Sequence, residues 1–266
     1  MTAGWHYCES GRGPTLILLH GIGMSHAAWN PVISELSSAR RVIAFDIPGF
    51  GLTPPLPKCT PPTIANLLDS LEESLSTIGI NSPVDFAGNS LGGCLALEAA
   101  RRGIARSVVA ISPTGLWKEH EPAHVQFVFG GLRFMSTHFP SLLKSALHVS
   151  FLREVLFAIP VSMGSHRMSV RDAHRAIDDV ATSKAFEATF DNTRSPFEGA
   201  AIRVPVIVAF GDRDWLLIRS AQRRSNLPPH TRWVKKRGWG HVPMWIDPSG
   251  VSQLILEGNV SGKSLS

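Results

Sequence analysis

A serine, an aspartate and a histidine that together could carry out acyl transfer stand far apart in this chain. Ser90 lies in the pattern Gly-Asn-Ser-Leu-Gly-Gly at 88–93, between a short apolar run and a longer, helix-like one. A strand that enters a helix through Gly-x-Ser-x-Gly must turn sharply, and the serine hydroxyl is then presented at the tip of the turn. Because a serine hydroxyl is a weak nucleophile at neutral pH, it needs an imidazole to take its proton and a carboxylate to orient that imidazole.

Asp214 and His241 are the candidates for that carboxylate and imidazole. Asp214 follows the apolar run at 204–210, and His241 lies in the loop after the run at 231–235. The chain order Ser, Asp, His is the order that the strand–turn–helix arrangement requires. Each candidate follows the carboxyl end of a predicted strand, which is where open α/β sheets place their sites.

The elements that must position these residues alternate in type along the chain. Apolar runs predict strands, and helical spacing of apolar residues predicts helices. Predicted strands cover 16–19, 41–45, 84–87, 107–111, 204–210 and 231–235, and predicted helices cover 29–36, 63–78, 91–100 and a last one from about 247. Such alternation is typical of an α/β protein with a mostly parallel central sheet and helices on both faces.

The alternation stops between about Gly115 and Phe190, where large apolar residues have helix-like spacing and no buried strand is apparent. A helical insertion between two strands of one sheet is typical of a lid over a site. We therefore predict an inserted helical cap at 115–190, on a core formed by 1–114 and 191–266.

Composition sets outer limits on the function. The 266 residues are 44% hydrophobic and 18% charged, which suits a globular protein with a substantial core. The net charge of +5 comes from short, scattered basic pairs, so we expect a solvated surface and no nucleic-acid partner. No apolar run reaches the length of a membrane span, and the N-terminus lacks secretory features, so we expect no stable membrane insertion.

Cysteine usage predicts a compartment. Cys8, Cys59 and Cys94 are odd in number, widely spaced and without metal-ligand spacing. Reduced thiols in the cytoplasm are the simplest interpretation. Cys94 lies on the apolar run after Ser90, so we expect a small buried hydrophobic residue there and not a second nucleophile.

The combined pattern resembles the α/β-hydrolase family, in particular its capped serine esterases and their relatives. Five motifs carry the resemblance, in the family's order: His-Gly-Ile-Gly at 20–23, Asp-Ile-Pro-Gly-Phe-Gly at 46–51, the serine motif at 88–93, Gly-x-x-Asp at 211–214 and Gly-His-Val-Pro at 240–243. The resemblance implies the α/β-hydrolase fold with an inserted helical cap, and no metal or cofactor. It makes Ser90 the nucleophile, His241 the general base and acid, and Asp214 the orienting carboxylate, with the backbone N–H groups of Ile22 and Leu91 as the oxyanion hole.

Other residues near these motifs are either alternative candidates for the catalytic roles or are expected to support the site structurally. Asp212 is a second candidate for the carboxylate, although the family's spacing after Gly211 favours Asp214. Some relatives carry the acid after the preceding strand, but residues 112–114 are Ser-Pro-Thr and offer none. We expect His20 to hold the oxyanion loop, and Asp46 to stabilise its glycine-rich turn.

A zinc-protease pattern, His-Glu-x-x-His, occurs at 120–124. That chemistry needs both histidines on one face of a continuous helix. Pro122 is tolerated only in the first turn of a helix, so His120 falls outside any helix that begins there. We therefore predict no zinc site at this motif.

The resemblance leaves several reactions open. A serine nucleophile excludes the dehalogenase and epoxide-hydrolase branches, which use a carboxylate there. We expect hydrolysis of a small apolar ester, of medium acyl or aromatic type, because the cap is rich in apolar residues. The alternatives are a carbon–carbon bond hydrolase acting on meta-cleavage products, with Arg194 near the substrate, a perhydrolase, or a ligand-binding homologue without turnover. The oligomeric state is left open.

Overall fold

The computed structural model describes the backbone of residues 4–260 and the side chains of 4–258. Seven strands form one sheet in the spatial order β1-β3-β2-β4-β5-β6-β7. Their bounds are β1 Tyr7–Ser10, β2 Thr15–Leu19, β3 Arg41–Phe45, β4 Val84–Asn89, β5 Ala105–Ile111, β6 Val206–Gly211 and β7 Arg232–Lys236. The pairs from β3 to β7 are parallel and β1 pairs antiparallel with β3, so a mostly parallel sheet is confirmed.

Helices follow most of the strands. Their bounds are α1 Asn30–Ser37, α2 Ile64–Thr77, α3 Leu91–Arg101, α4 Ala123–His138, α5 Pro140–Ala146, α6 Ser150–Phe157, α7 Val170–Thr182, α8 Phe186–Asn192 and α9 Pro248–Val260. The helices predicted at 29–36, 63–78 and 91–100 correspond to α1, α2 and α3, within one or two residues at each end. The last helix begins at Pro248, next to its predicted start.

Two apolar layers lie on opposite faces of the sheet. Successive strand residues point to opposite faces, so Ile17 and Leu19 of β2 pack into one layer, while Leu16 and Leu18 pack into the other. The first layer contains buried residues of α2 and α3, and the second contains those of α1 and α9. Because helices cover both faces, the central strands are buried on both sides and read as continuous apolar runs.

The segment between β5 and β6 contains α4 to α8, and no strand occurs in residues 112–205. These five helices are called the inserted helices below. The predicted cap boundaries, 115–190, enclose α4 to α7 and most of α8, and the division into cap and core stays a prediction. None of the helices in the described part of the chain is both long and apolar enough to cross a bilayer.

Candidate active site

Ser90 occupies a strained turn between β4 and α3. Its φ of 56° and ψ of −118° lie outside the regions that side-chain-bearing residues normally adopt. Three backbone hydrogen bonds hold it there: Ser90 N donates to Ile111 O at 3.0 Å, and Ser90 O accepts from Cys94 N at 3.1 Å and Thr114 N at 3.2 Å. Surrounding strands and helix therefore impose the conformation that presents the hydroxyl.

Close backbone contact explains the glycines around Ser90. A Cβ atom on Gly88 would overlap the carbonyl oxygen of Gly92, and one on Gly92 would overlap the carbonyl oxygen of Leu19 at the end of β2. Only glycine allows β4, α3 and β2 to approach this closely. The Gly-x-Ser-x-Gly spacing is thus a packing requirement of this turn.

His241 and Asp214 form a buried hydrogen-bonded pair. His241 Nδ1 lies 3.2 Å from Asp214 Oδ2, and both side chains are almost fully buried. The other oxygen, Asp214 Oδ1, accepts from Leu216 N at 3.1 Å and from Leu217 N at 2.8 Å. Since a carboxylate only accepts, the proton lies on Nδ1 and leaves Nε2 as an acceptor. Nε2 has no hydrogen-bond partner within the described chain.

The pKa of Asp214 lies below its ordinary value. Burial is the largest influence and raises the pKa, but the electrostatic effect and hydrogen bond of His241, the Leu217 N–H and the Ser112 side chain together outweigh it. The carboxylate is therefore ionised at neutral pH, as a group that orients and stabilises an imidazolium must be.

Three hydrogen bonds from two neighbouring segments hold the loop that carries His241. Asn89, next to Ser90, donates from Nδ2 to His241 O at 2.8 Å. Gly240 N donates to Ser162 Oγ at 2.9 Å, and Val242 N donates to Val161 O at 2.7 Å. The turn of Ser90 and the segment after α6 thus both fix the position of the histidine.

Asp212, the second candidate for the carboxylate, does not contact His241. Its Oδ1 accepts from Gly238 N at 2.6 Å in an exposed turn. Of the two aspartates after β6, the structure brings Asp214 into hydrogen-bond distance of the histidine. Asp214 thus has the contact with His241 that the predicted carboxylate needs, and Asp212 does not.

His20 braces the loop after β2. Its Nδ1 donates to Gly21 O at 2.7 Å, and its Nε2 accepts from Ile47 N at 3.0 Å. Complete burial lowers its pKa to about 4, so the ring is neutral. Both ring nitrogens are used in these contacts, which agrees with the structural role predicted for His20.

Two backbone N–H groups near Ser90 are free of backbone acceptors in the described chain. Ile22 lies in the loop braced by His20, and Leu91 is the first residue of α3. The first N–H groups of a helix have no intrahelical partner and lie at the positive end of the helix dipole. Ile22 and Leu91 therefore have the donors that the oxyanion-hole prediction needs, and that role stays a prediction.

A cavity of about 50 Å³ lies beside Ser90 and His241. Ile22, Asn89 and the loop after β2 border it on the core side. The rest of its wall is apolar and comes mainly from the inserted helices, the segment after α6 and the loop after His241: Phe129, Leu132, Phe157, Pro160, Val161, Ala176, Val180, Val242 and Trp245. Among residues 4–258, no lysine, arginine, aspartate or glutamate borders it.

Arg194 does not border this cavity. Its guanidinium lies 3.5 Å from Glu121 and 5.6 Å from the centre of the Phe190 ring. Arg194, which we considered as a partner for a carboxylated substrate, thus contacts Glu121 before α4 and Phe190 in α8 instead.

One group of described residues has ligand atoms close enough to hold a metal ion: His6, His26 and Asp46. The Asp46 carboxylate already accepts four hydrogen bonds, from His6 Nδ1, His26 Nδ1, His26 N and Leu52 N. These bonds stabilise the turn after β3, as predicted for Asp46, and they account for the cluster without a metal ligand role.

The zinc-protease pattern does not form a helical site. α4 begins at Ala123, so His120 lies outside the helix, as predicted from Pro122. His124 Nε2 hydrogen-bonds Leu216 O at 2.9 Å. Cys94 is buried, and burial raises the pKa of its thiol to about 12, which agrees with a packing role.

A sheet of this order, with a strained serine turn at the end of its central β4, is the architecture of an α/β hydrolase. A family model described as alpha/beta hydrolase fold matches residues 14–248. The chain therefore belongs to the α/β-hydrolase fold family. Family and relatives together support hydrolase activity.

Individual relatives differ in their reactions. The chain is 31% identical over 201 residues to the epoxide hydrolase EphH of Mycobacterium tuberculosis, covering 72% of this chain and 92% of that protein. It is 38% identical over 92 residues to a pimeloyl-[acyl-carrier protein] methyl ester esterase of Methylococcus capsulatus, which is 35% of this chain and 33% of that one. The fold is similar to the enol-lactonase from Burkholderia xenovorans, with a TM-score of 0.72, 20% identity and 95% of each chain covered.

Proposed function

We propose that the chain is a serine hydrolase of apolar carboxylic esters. The observation that carries the proposal is that Ser90, on its strained turn, and His241, held by the buried Asp214, border the same apolar cavity. We further propose that residues 115–190 act as a cap that supplies most of the apolar wall.

The proposed reaction gives Ser90, His241 and Asp214 the roles of the Ser-His-Asp template. Ser90 Oγ attacks the acyl carbon while His241 Nε2 takes the hydroxyl proton and Asp214 stabilises the imidazolium. The N–H groups of Ile22 and Leu91 bind the oxyanion. His241 then protonates the leaving alcohol, takes a proton from water, and returns it to Ser90 as the hydroxide displaces the acyl group as a carboxylic acid. No step needs a cofactor.

Epoxide hydrolysis is the activity in the name of the Mycobacterium tuberculosis relative EphH, which this chain matches over 92% of its length. A serine alkoxide that opened an epoxide would form an ether with the substrate. An ether has no acyl carbonyl that water could attack, so the product would stay bound to the serine. A carboxylate nucleophile would form an ester instead, and water can hydrolyse that ester. Serine at position 90 therefore favours an ester substrate over an epoxide.

The carbon–carbon hydrolase alternative requires a carboxylated substrate. No lysine or arginine of the described chain borders the cavity, and the Arg194 guanidinium lies 3.5 Å from Glu121. Burying a carboxylate in an apolar wall without a partner is strongly unfavourable. The wall therefore favours an uncharged apolar acyl group.

A panel of p-nitrophenyl esters from acetate to palmitate tests the proposal, with styrene oxide and a dienoic ring-fission product as competing substrates. We expect turnover of esters with medium acyl chains, and a loss of at least ~10³-fold in Ser90→Ala. Thermal unfolding of Ser90→Ala, unchanged from the parent, serves as the folding control. Turnover that survives Ser90→Ala would refute the nucleophile, and faster cleavage of either competing substrate would refute ester specificity.

A further inference from the structure

Two buried tryptophan N–H groups have no acceptor within the described chain, those of Trp29 and Trp245. Other tryptophans show the usual outcome: Trp5 Nε1 donates to Ser70 Oγ, Trp117 Nε1 to Arg194 O and Trp239 Nε1 to Asp247 Oδ2. Trp29 is enclosed in the core layer of α1 and α9. Trp245 differs from Trp29 because it borders the cavity of Ser90.

The position of Trp245 is fixed by the turn that follows His241. Ile246 N and Asp247 N both donate to Pro243 O, at 2.9 and 3.0 Å. Trp245 borders the Ser90 cavity and also a second cavity of about 20 Å³, and Met24 and Ala176 border both. The second cavity is also lined by the charged residues Asp172, Arg175 and Asp179 of α7. Trp245 therefore lies where the arm of a bound substrate would pass.

A buried donor without an acceptor is unfavourable, and binding that supplies the acceptor removes the penalty. Asp172 and Asp179 line the second cavity, but neither carboxylate accepts a hydrogen bond from the Trp245 N–H. The wall on the side of Ser90 is apolar and offers no acceptor near the inserted helices, which contribute residues such as Phe157, Ala176 and Val180. An oxygen atom of the substrate is a fitting acceptor. The reacting carbonyl oxygen does not serve, because Ile22 and Leu91 N–H groups lie beside Ser90 for that purpose.

We propose that the Trp245 indole N–H binds a second oxygen atom of the substrate, separate from the reacting ester group. Trp245 is then a specificity-determining residue, and the substrate class is an apolar ester with an ether or carbonyl oxygen in its acyl or alcohol arm. The proposal rests on the function proposed above. A site that hydrogen-bonds a substrate group discriminates against the analogue without it more strongly than an apolar wall discriminates between shapes.

The test replaces one methylene at a time by oxygen along both arms of an ester, omitting positions next to the carbonyl. kcat/KM is measured for each oxygen-containing ester and its all-carbon counterpart, in the parent and in Trp245→Phe. We expect one position at which the oxygen-containing ester is preferred by roughly 3- to 10-fold in the parent, with the preference lost in Trp245→Phe. The matched control is Trp233→Phe, on β7 beside Phe210 and Arg224, which keeps the preference.

The ratio of kcat/KM between an oxygen-containing ester and its all-carbon counterpart separates hydrogen bonding from packing, because the smaller phenylalanine ring changes the packing of both esters alike. A ratio that is the same in the parent and in Trp245→Phe at every position overturns the proposal. If the parent hydrolyses no ester, the proposed function fails instead. Binding of the matching non-hydrolysable ketones to Ser90→Ala, measured by calorimetry with and without Trp245→Phe, then decides the question, and equal affinities for both members overturn it.

Discussion

Asparagine at position 214 changes one atom of the site and is expected to remove nearly all activity. Oδ1 of Asp214 is held by the N–H groups of Leu216 and Leu217, so the amide oxygen of an asparagine would remain there. Its NH₂ group would then face His241 Nδ1, which must become an acceptor. The ring proton moves to Nε2, and His241 can no longer take the proton of Ser90.

The magnitude follows from the tautomer. In the Ser-His-Asp template, the same exchange leaves the geometry intact and lowers kcat about 10⁴-fold. At 1.36 kcal/mol for each factor of ten, this is about 5 kcal/mol of lost transition-state stabilisation. Asp212→Asn is the matched control, since its side chain accepts only from Gly238 N and an amide oxygen can do the same. We expect a change of no more than about 3-fold there.

The assay is kcat/KM for p-nitrophenyl butyrate at pH 7.5, with thermal unfolding to show that both variants fold. Two results would refute the reasoning. Asp214→Asn could keep more than a tenth of the parent activity, which would mean that the buried pair does not orient the base. Alternatively, Asp212→Asn could lose as much as Asp214→Asn, which would mean that the hydrogen bond to His241 is not the determining contact.

Two further predictions concern stability. Gly92→Ala places a Cβ against backbone carbonyls and should destabilise the fold by more than about 3 kcal/mol. Gly131→Ala lies in α4 with open space around it and should stabilise the fold by up to about 1 kcal/mol. Thermal unfolding compares the two variants, and equal effects would contradict the packing argument. Burial raises the pKa of Glu121 from 4.5 to about 7, against the opposing effect of Arg194. The folded chain then binds more protons than the unfolded chain between about pH 4.5 and 7, so the free energy of unfolding falls as pH rises through that window. Denaturant titrations should show that the free energy of unfolding of Glu121→Gln changes less with pH than that of the parent, and that it is higher by on the order of 3 kcal/mol at pH 8. A pH dependence equal to that of the parent would contradict the raised pKa of Glu121.

Local patterns predicted the elements whose residues are buried on both faces. β2 to β6 were visible as apolar runs, and α3 was visible because it follows the serine turn. β7 is a partly exposed strand of sequence Arg-Trp-Val-Lys-Lys and gave a weaker signal. β1 was missed, because Tyr7–Ser10 is a half-exposed edge strand without apolar alternation and pairs antiparallel with β3. Its place in the sheet depends on partner residues that lie more than 30 positions away in the sequence, from Tyr7 opposite Phe45 to Ser10 opposite Val42, which no local pattern encodes.

The inserted helices were predicted as a region but not one by one. α7 buries only Ala173, Ile177 and Val180 along one stripe, and the rest of its surface is mostly charged or polar. The spacing of these three residues is helical, so the signal was present but narrow. Trp245 carried no signal at all, since its relation to the cavity depends on how α7 and the loop after His241 meet in space.

The small size of the cavity leads us to expect that the inserted helices take part in the proposed reaction. About 50 Å³ holds a few water molecules, whereas sites that enclose organic ligands measure roughly 300–1,000 Å³. Phe129 and Leu132 of α4, Phe157 of α6 and Val161 after it fill the space that an acyl arm would need. If the proposed function holds, we expect these side chains or their helices to move when an ester binds at Ser90. Because the Gly240 and Val242 N–H groups hydrogen-bond the segment at 161–162, such a movement bears directly on the loop of His241. Substrate fit and histidine position are thus coupled through the same short segment, which is a physical reason for apolar arms of the right length to react faster and not merely to bind better.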